Sequence, residues 1–119
     1  NLVERYDPTL DAWEERAPMA RAREAHAVAA LDGKLYAVGG YPDDSSVERY
    51  DPALDAWEAV APMATARWGL GVAVLDGKLY AVGGKNFDVD DGLLLLSSVE
   101  RYDPRTNAWE AVAPMAEAR

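Results

Sequence analysis

The chain has 119 residues, 50% of them apolar, no cysteine and a formal charge of −9. One small, folded domain fits that length and composition. Disulfides and thiolate metal sites are excluded, nucleic acid and anionic lipid are poor partners for so acidic a surface, and no apolar run nears the ~20 residues of a membrane span.

The first residues, Asn1-Leu2-Val3-Glu4-Arg5, have no signal-peptide pattern and no starting Met. They read as a processed product, an excised piece or an engineered chain. VERYDP then occupies 3–8 and returns at 47–52 and 99–104, at spacings of 44 and 52. Each copy reads as a strand followed by a turn, in which proline presets φ. Trp13, Trp57 and Trp109 hold one place in the three copies, and Met19, Met63 and Met115 hold another. Segment 1–21 is therefore the last two strands of a repeating unit.

Segment 22–63 is a full unit, and 64–115 is its copy. Leu31–Gly40 returns letter for letter at Leu75–Gly84, and Val47–Met63 returns at Val99–Met115 except at positions 53, 54 and 55. In the copy the strands are expected at Gly69–Leu75, Lys78–Val82, Val99–Tyr102 and about Ala108–Ala113, which Pro114 stops. Asp76-Gly77 accepts the positive φ angles of a tight hairpin turn between the first two. The longer spacing has one source. Tyr41–Asp44 separates Gly40 from Ser45, whereas the longer Lys85–Leu96, read as a loop, separates Gly84 from Ser97. Segment 116–119 opens a further unit. A helix over Ala20–Ala27 is disfavoured, because the equivalent Ala64–Gly71 contains two glycines.

The strand faces indicate how the units pack. Gly69, Gly71 and Ala73 alternate with Leu70, Val72 and Val74, so neither face is polar. Trp57, Ala59 and Ala61 oppose Glu58 and Val60. Sheets apolar on both sides need cover on both sides. Four-stranded antiparallel sheets stacked face to face, one per repeat of about 45 residues, are propeller blades. The fold class is all-β, with about two and a half blades in the chain.

Gly39-Gly40, Tyr50, Trp57, Pro62-Met63 and Arg67 together resemble the kelch repeat: a double glycine, a spaced Tyr and Trp, and an Arg opening the next unit. The resemblance covers essentially the whole chain. It implies a β-propeller, usually six-bladed, with the glycine pair ending the second strand and Tyr and Trp packed between blades. Trp13, Trp57 and Trp109 are accordingly expected in the core. Residues 85–98 are similar to a long loop in one blade of some BTB-kelch ubiquitin-ligase adaptors. Those adaptors often carry an arginine two positions after the repeat arginine. This chain has Ala25 and Gly69 there, which weighs against binding of acidic peptides. Arg23, Arg67 and Arg119 are expected to be structural, donating to loop carbonyls.

Enzyme chemistry has little to work with. The family's copper oxidases need several histidines and a cysteine crosslink, and this chain has one histidine. His26 stands where the other copy has Leu70 and reads as a packed or part-exposed side chain, with no nucleophile arranged beside it. Asp88-Val89-Asp90-Asp91-Gly92 resembles a calcium loop but lacks its closing glutamate, since the twelfth position is Val99. A solvated acidic tip is the expectation. No cofactor and no metal are expected.

Candidate binding residues lie on the face of the loops between second and third strands. Trp68 replaces the Glu24 of the other copy, and a part-exposed Trp is either a partner's anchor or incidental packing. Leu93-Leu94-Leu95-Leu96 either extends the third strand or packs on the blade edge, or else makes a sticky contact. The binding set is Trp68, Tyr41, Glu24, Lys85, Asn86, Phe87, Leu93, Leu94 and Leu95. Two and a half blades cannot close a ring, so copies of the chain are the favoured partner, with three chains closing six blades. About ten blade strands per chain do not divide into the twenty-four of such a ring, and the equivalence of 1–23 and 97–119 leaves one pair spare. A protein or peptide is the other partner. Repeat identity this high fits a consensus-designed or recently duplicated sequence. The rival readings are a fragment of a BTB-kelch adaptor, cytoplasmic if natural, and, more remotely, a carbohydrate-active propeller enzyme.

Overall fold

A computed structural model describes residues 2–88 and 90–118. It contains β-strands and turns, and among the described residues no helix is long and apolar enough to cross a membrane. Strands β1 (Val3–Asp7) and β2 (Ala12–Arg16) form a two-stranded sheet. Strands β3 (Ala27–Leu31), β4 (Lys34–Gly40), β5 (Asp44–Asp51) and β6 (Ala56–Val60) form an antiparallel blade in that order. The second blade is β7 (Gly71–Leu75), β8 (Lys78–Val82), β11 (Val99–Asp103) and β12 (Ala108–Val112), again in simple succession. Between β8 and β11 the chain detours through a hairpin of β9 (Lys85–Asp88) and β10 (Gly92–Leu95).

The turns follow the sequence. Asp32-Gly33 and Asp76-Gly77 all adopt positive φ, as tight hairpin connections require. Two expectations are corrected. The first strand of the second blade begins at Gly71, because Gly69 turns through φ +63° and donates its N–H to the Ala25 carbonyl at 2.7 Å. The 85–96 segment is a hairpin rather than a loop, and its leucines form their own strand β10 instead of extending the third strand, which begins at Val99.

Every blade-to-blade junction uses the same hydrogen bonds. Trp57 Nε1 donates to the Ala17 carbonyl and Trp109 Nε1 to that of Ala61, both at 2.8 Å. The N–H groups of Ala17 and Ala61 donate to Oδ1 of Asp55 and Asn107, which also accept from the Tyr50 and Tyr102 hydroxyls. Asp55 and Asn107 sit at φ +48° and +50°, a conformation that Asp and Asn tolerate better than most residues. The repeat arginines lock each blade to the segment before it. Arg23 donates to the carbonyls of Gly39 and Ser46 and to Glu48; Arg67 donates to those of Gly83 and Ser98 and to Glu100. Arg119 lies outside the described residues.

The core lies between the two blades. Leu31, Tyr36, Val38 and Val47 of the first face Leu79, Ala81 and Tyr102 of the second, with the Tyr36 and Tyr102 rings 5.7 Å apart. Parts of both outer faces are bare. Leu31 is 4% exposed, yet its counterpart Leu75 is 59% exposed. Leu79 is fully buried, yet its counterpart Leu35 is 38% exposed. Trp13 corrects the expectation that all three recurring tryptophans are core. It is 66% exposed, because among the described residues no blade lies against it.

Candidate binding face

The connections between second and third strands converge at one end of the blades. The β4–β5 turn is held against the chain before β3 by Tyr41 N–H donating to the Glu24 carbonyl at 2.9 Å. Trp68 exchanges both backbone hydrogen bonds with Lys85, at 3.0 and 2.9 Å, which docks the β9–β10 hairpin beside the start of the second blade. Asp43 Oδ1 accepts the Phe87 N–H at 3.1 Å and ties the two loops together.

These contacts assemble three rings that are distant in sequence. Tyr41 and Trp68 meet edge-on at 5.1 Å, Trp68 and Phe87 lie 6.0 Å apart, and Tyr41 and Phe87 lie 6.3 Å apart. Lys85 Nζ sits 5.1 Å above the Trp68 ring, a cation–π contact. The Trp68 Nε1–H is buried without a hydrogen-bond partner. The hairpin register places Phe87 opposite Leu93 and Lys85 opposite Leu95, so these four side chains share one face. Phe87, Leu93 and Leu95 are 47%, 51% and 55% exposed. Asn86 and Leu94 occupy the opposite face, where Asn86 Nδ2 donates to the Ala66 carbonyl at 3.1 Å.

Of the nine predicted residues, Trp68, Tyr41, Lys85, Phe87, Leu93 and Leu95 therefore form one apolar surface. Asn86 and Leu94 turn toward the body, and Glu24 contributes its carbonyl. Sequence reasoning missed Asp43, whose carboxylate fixes the hairpin; nothing in its surroundings marked it. The calcium-like stretch closes the hairpin turn: Asp88 Oδ1 accepts the N–H groups of Asp90 and Asp91, and Val89 lies outside the described residues.

His26 sits half-buried between the first blade and the N-terminal strand pair, with Nδ1 unpartnered. Burial, then the Arg23 guanidinium, push its pKa below 6.5. The folded chain thus disfavours the proton that the unfolded chain binds, so stability falls as pH drops below 6.5 and through the folded value. Urea midpoints of the wild type should fall between pH 7 and pH 5, and His26→Leu should flatten that slope. Equal slopes would contradict the assignment. The carboxylates held low in the fold, Asp44 among them, act only below about 3.8.

Among known proteins, the family model described as the Kelch motif matches residues 22–64 and 66–116. Kelch-like protein 35 of Mus musculus is 37% identical over 109 residues, 92% of this chain and 10% of that protein. Kelch-like protein 33 of Homo sapiens is 50% identical over 40 residues, 34% of this chain and 8% of that protein. The chain spans a tenth or less of the length of these relatives. The solved structure of YjhT matches with a TM-score of 0.71 at 26% identity, over 87% of this chain and 31% of that one.

Proposed function

Since the chain belongs to the kelch-motif family, we propose that it is a non-enzymatic propeller building block that stacks on further copies of itself and binds protein on its loop face. The contrast between Leu31 and Leu75 carries the stacking. Within the same ten residues, LDGKLYAVGG, the leading leucine is buried in one copy and bare in the other. The bare face of the second blade and the bare face around Val28 and Leu35 are the two halves of the contact already made inside the chain. Covering what Leu75 still exposes, 59% of it, would alone contribute about 1–2 kcal/mol. Two blades from each of three copies supply the twenty-four strands of a six-bladed ring. In that ring β11–β12 of one copy takes the place of β1–β2 against the next, with the Ala113 carbonyl replacing that of Ala17 as acceptor for Trp57.

Leu75→Glu buries a charge at that contact and should raise the dissociation constant at least tenfold in sedimentation equilibrium, with the circular dichroism unchanged. An unaltered association would overturn the stacking. The loop-face reading is supported by the ring cluster, whose exposed leucines belong to no blade core. Peptides selected against the chain from a displayed library should lose at least tenfold in affinity on Trp68→Ala or Phe87→Ala. Peptides indifferent to both would overturn it.

A further inference from the structure

We infer that the outer edge of β10 is a strand-addition site for an extended segment of a partner protein in which basic and apolar residues alternate. This rests on the loop-face reading and gives it a mode and a chemistry. The backbone directions follow from the ladder. Lys85 spends its N–H and C=O on Trp68, so both point away from β10. Leu96 donates back to the Gly84 carbonyl at 2.9 Å. Antiparallel alternation then makes Asn86–Leu94 and Asp88–Gly92 the hydrogen-bonded pairs. The N–H and C=O groups of Leu93 and Leu95 must point outward.

The two edges of the hairpin differ. That of β9 is closed by Trp68 at Lys85 and by the Asp43 carboxylate at Phe87. Strand β10 has β9 as its neighbour and, among the described residues, nothing on its other side. Natural edge strands are guarded by charge, proline or a bulge. The outer blade strands β6 and β12 carry Glu58 and Glu110 at their centres. Strand β10 reads Gly-Leu-Leu-Leu and carries none of these.

An added strand would set alternate side chains on the Phe87–Leu93–Leu95 face and the others beside Asp88. The hairpin tip adds Asp90 and Asp91, and the whole chain carries −9. The nearby cation, Lys85, is engaged over Trp68. A second copy would bring like charges together at this edge, so the complementary occupant is a basic one.

The probe is the peptide Lys-Val-Lys-Val-Lys-Val, titrated into the ¹⁵N-labelled chain, with its Glu-Val counterpart as control. The Leu93 and Leu95 amides should shift and exchange at least tenfold more slowly with the basic peptide, and neither should respond to the acidic one. Leu93→Pro removes an outward donor while leaving the β9–β10 bonds, and should weaken binding at least tenfold. Leu95→Lys, which keeps the backbone and sets a like charge against the basic strand, should do the same. Absence of binding, equal binding of both peptides, or pairing of β10 with a second copy would overturn the proposal. Shifts confined to Trp68 and Tyr41 would also overturn strand addition while leaving the loop face a binding surface. Failure of the loop face itself would instead appear as library peptides insensitive to Trp68→Ala.

Discussion

Glu100→Ala is expected to destabilise the chain by about 3–5 kcal/mol, the loss typical of breaking a buried ion pair from one side. Glu100 is 4% exposed, and its Oε2 accepts from Arg67 Nε at 3.2 Å and Nη2 at 3.0 Å. Its two oxygens also accept the backbone N–H groups of Ala64 and Thr65, at 2.7 and 3.2 Å. Truncation leaves a fully buried guanidinium without its counter-ion and two N–H groups without acceptors. The bonds from Arg67 to Gly83, Ser98 and the Ser98 hydroxyl would remain, but they are to neutral oxygens and do not balance its charge. Glu100→Gln keeps the shape and should lose less. Glu110, which pairs with Arg101 at the surface, is the control: its truncation should cost about 0–1 kcal/mol. Denaturant unfolding of the three variants checks the order. Glu100→Ala within 1 kcal/mol of wild type would remove the arginine–glutamate lock from the account.

Gly39→Ala should rank close behind, at about 3 kcal/mol or more, because two costs coincide. Gly39 adopts φ +68°, where a Cβ alone costs roughly 1–2 kcal/mol. A Cβ there would also lie 2.4 Å from the Arg67 carbonyl oxygen. That oxygen cannot retreat cheaply, since it accepts the Gly40 N–H at 2.8 Å while Arg67 N–H bonds to Asp44. The junction between the blades would have to open. Gly33 separates the two costs: it adopts φ +75°, but a Cβ there meets nothing within 4 Å. Gly33→Ala should therefore cost only the conformational part. Thermal unfolding should place Gly39→Ala well below Gly33→Ala. Equal midpoints would mean that the close approach is not maintained in solution.

The blades were legible because their signals are local. Asp-Gly turns, alternating strands and the stop at Pro114 each act within a few residues. Burial was not, because it depends on the neighbouring blade: Leu31 and Leu75 sit in identical ten-residue phrases. The glutamate of VERYDP is illegible for the same reason. In one strand it is a charge between Val and Arg, with nothing to mark it as buried, and only the linker arriving from the preceding blade covers it. Glu4, the first copy, stays exposed. The β9–β10 hairpin left a signal that went unused. Asp91-Gly92 is the dipeptide that turns both blade hairpins, and Gly92 adopts φ +75°. Four consecutive leucines hid the alternation, in which Leu93 and Leu95 lie on the outer face and Leu94 shares the other face with Asn86 and Asp88. The binding face could not be read at all, since Tyr41, Trp68 and Phe87 meet only after two blades have stacked.

The claim on which the rest depends is that the two bare blade faces are halves of one contact. Light scattering after size exclusion tests it most directly. The account predicts a mass of three 13.0 kDa chains, about 39 kDa, as expected for a closed ring of six blades. A sharp peak at the mass of one chain, persisting as concentration rises, would contradict it.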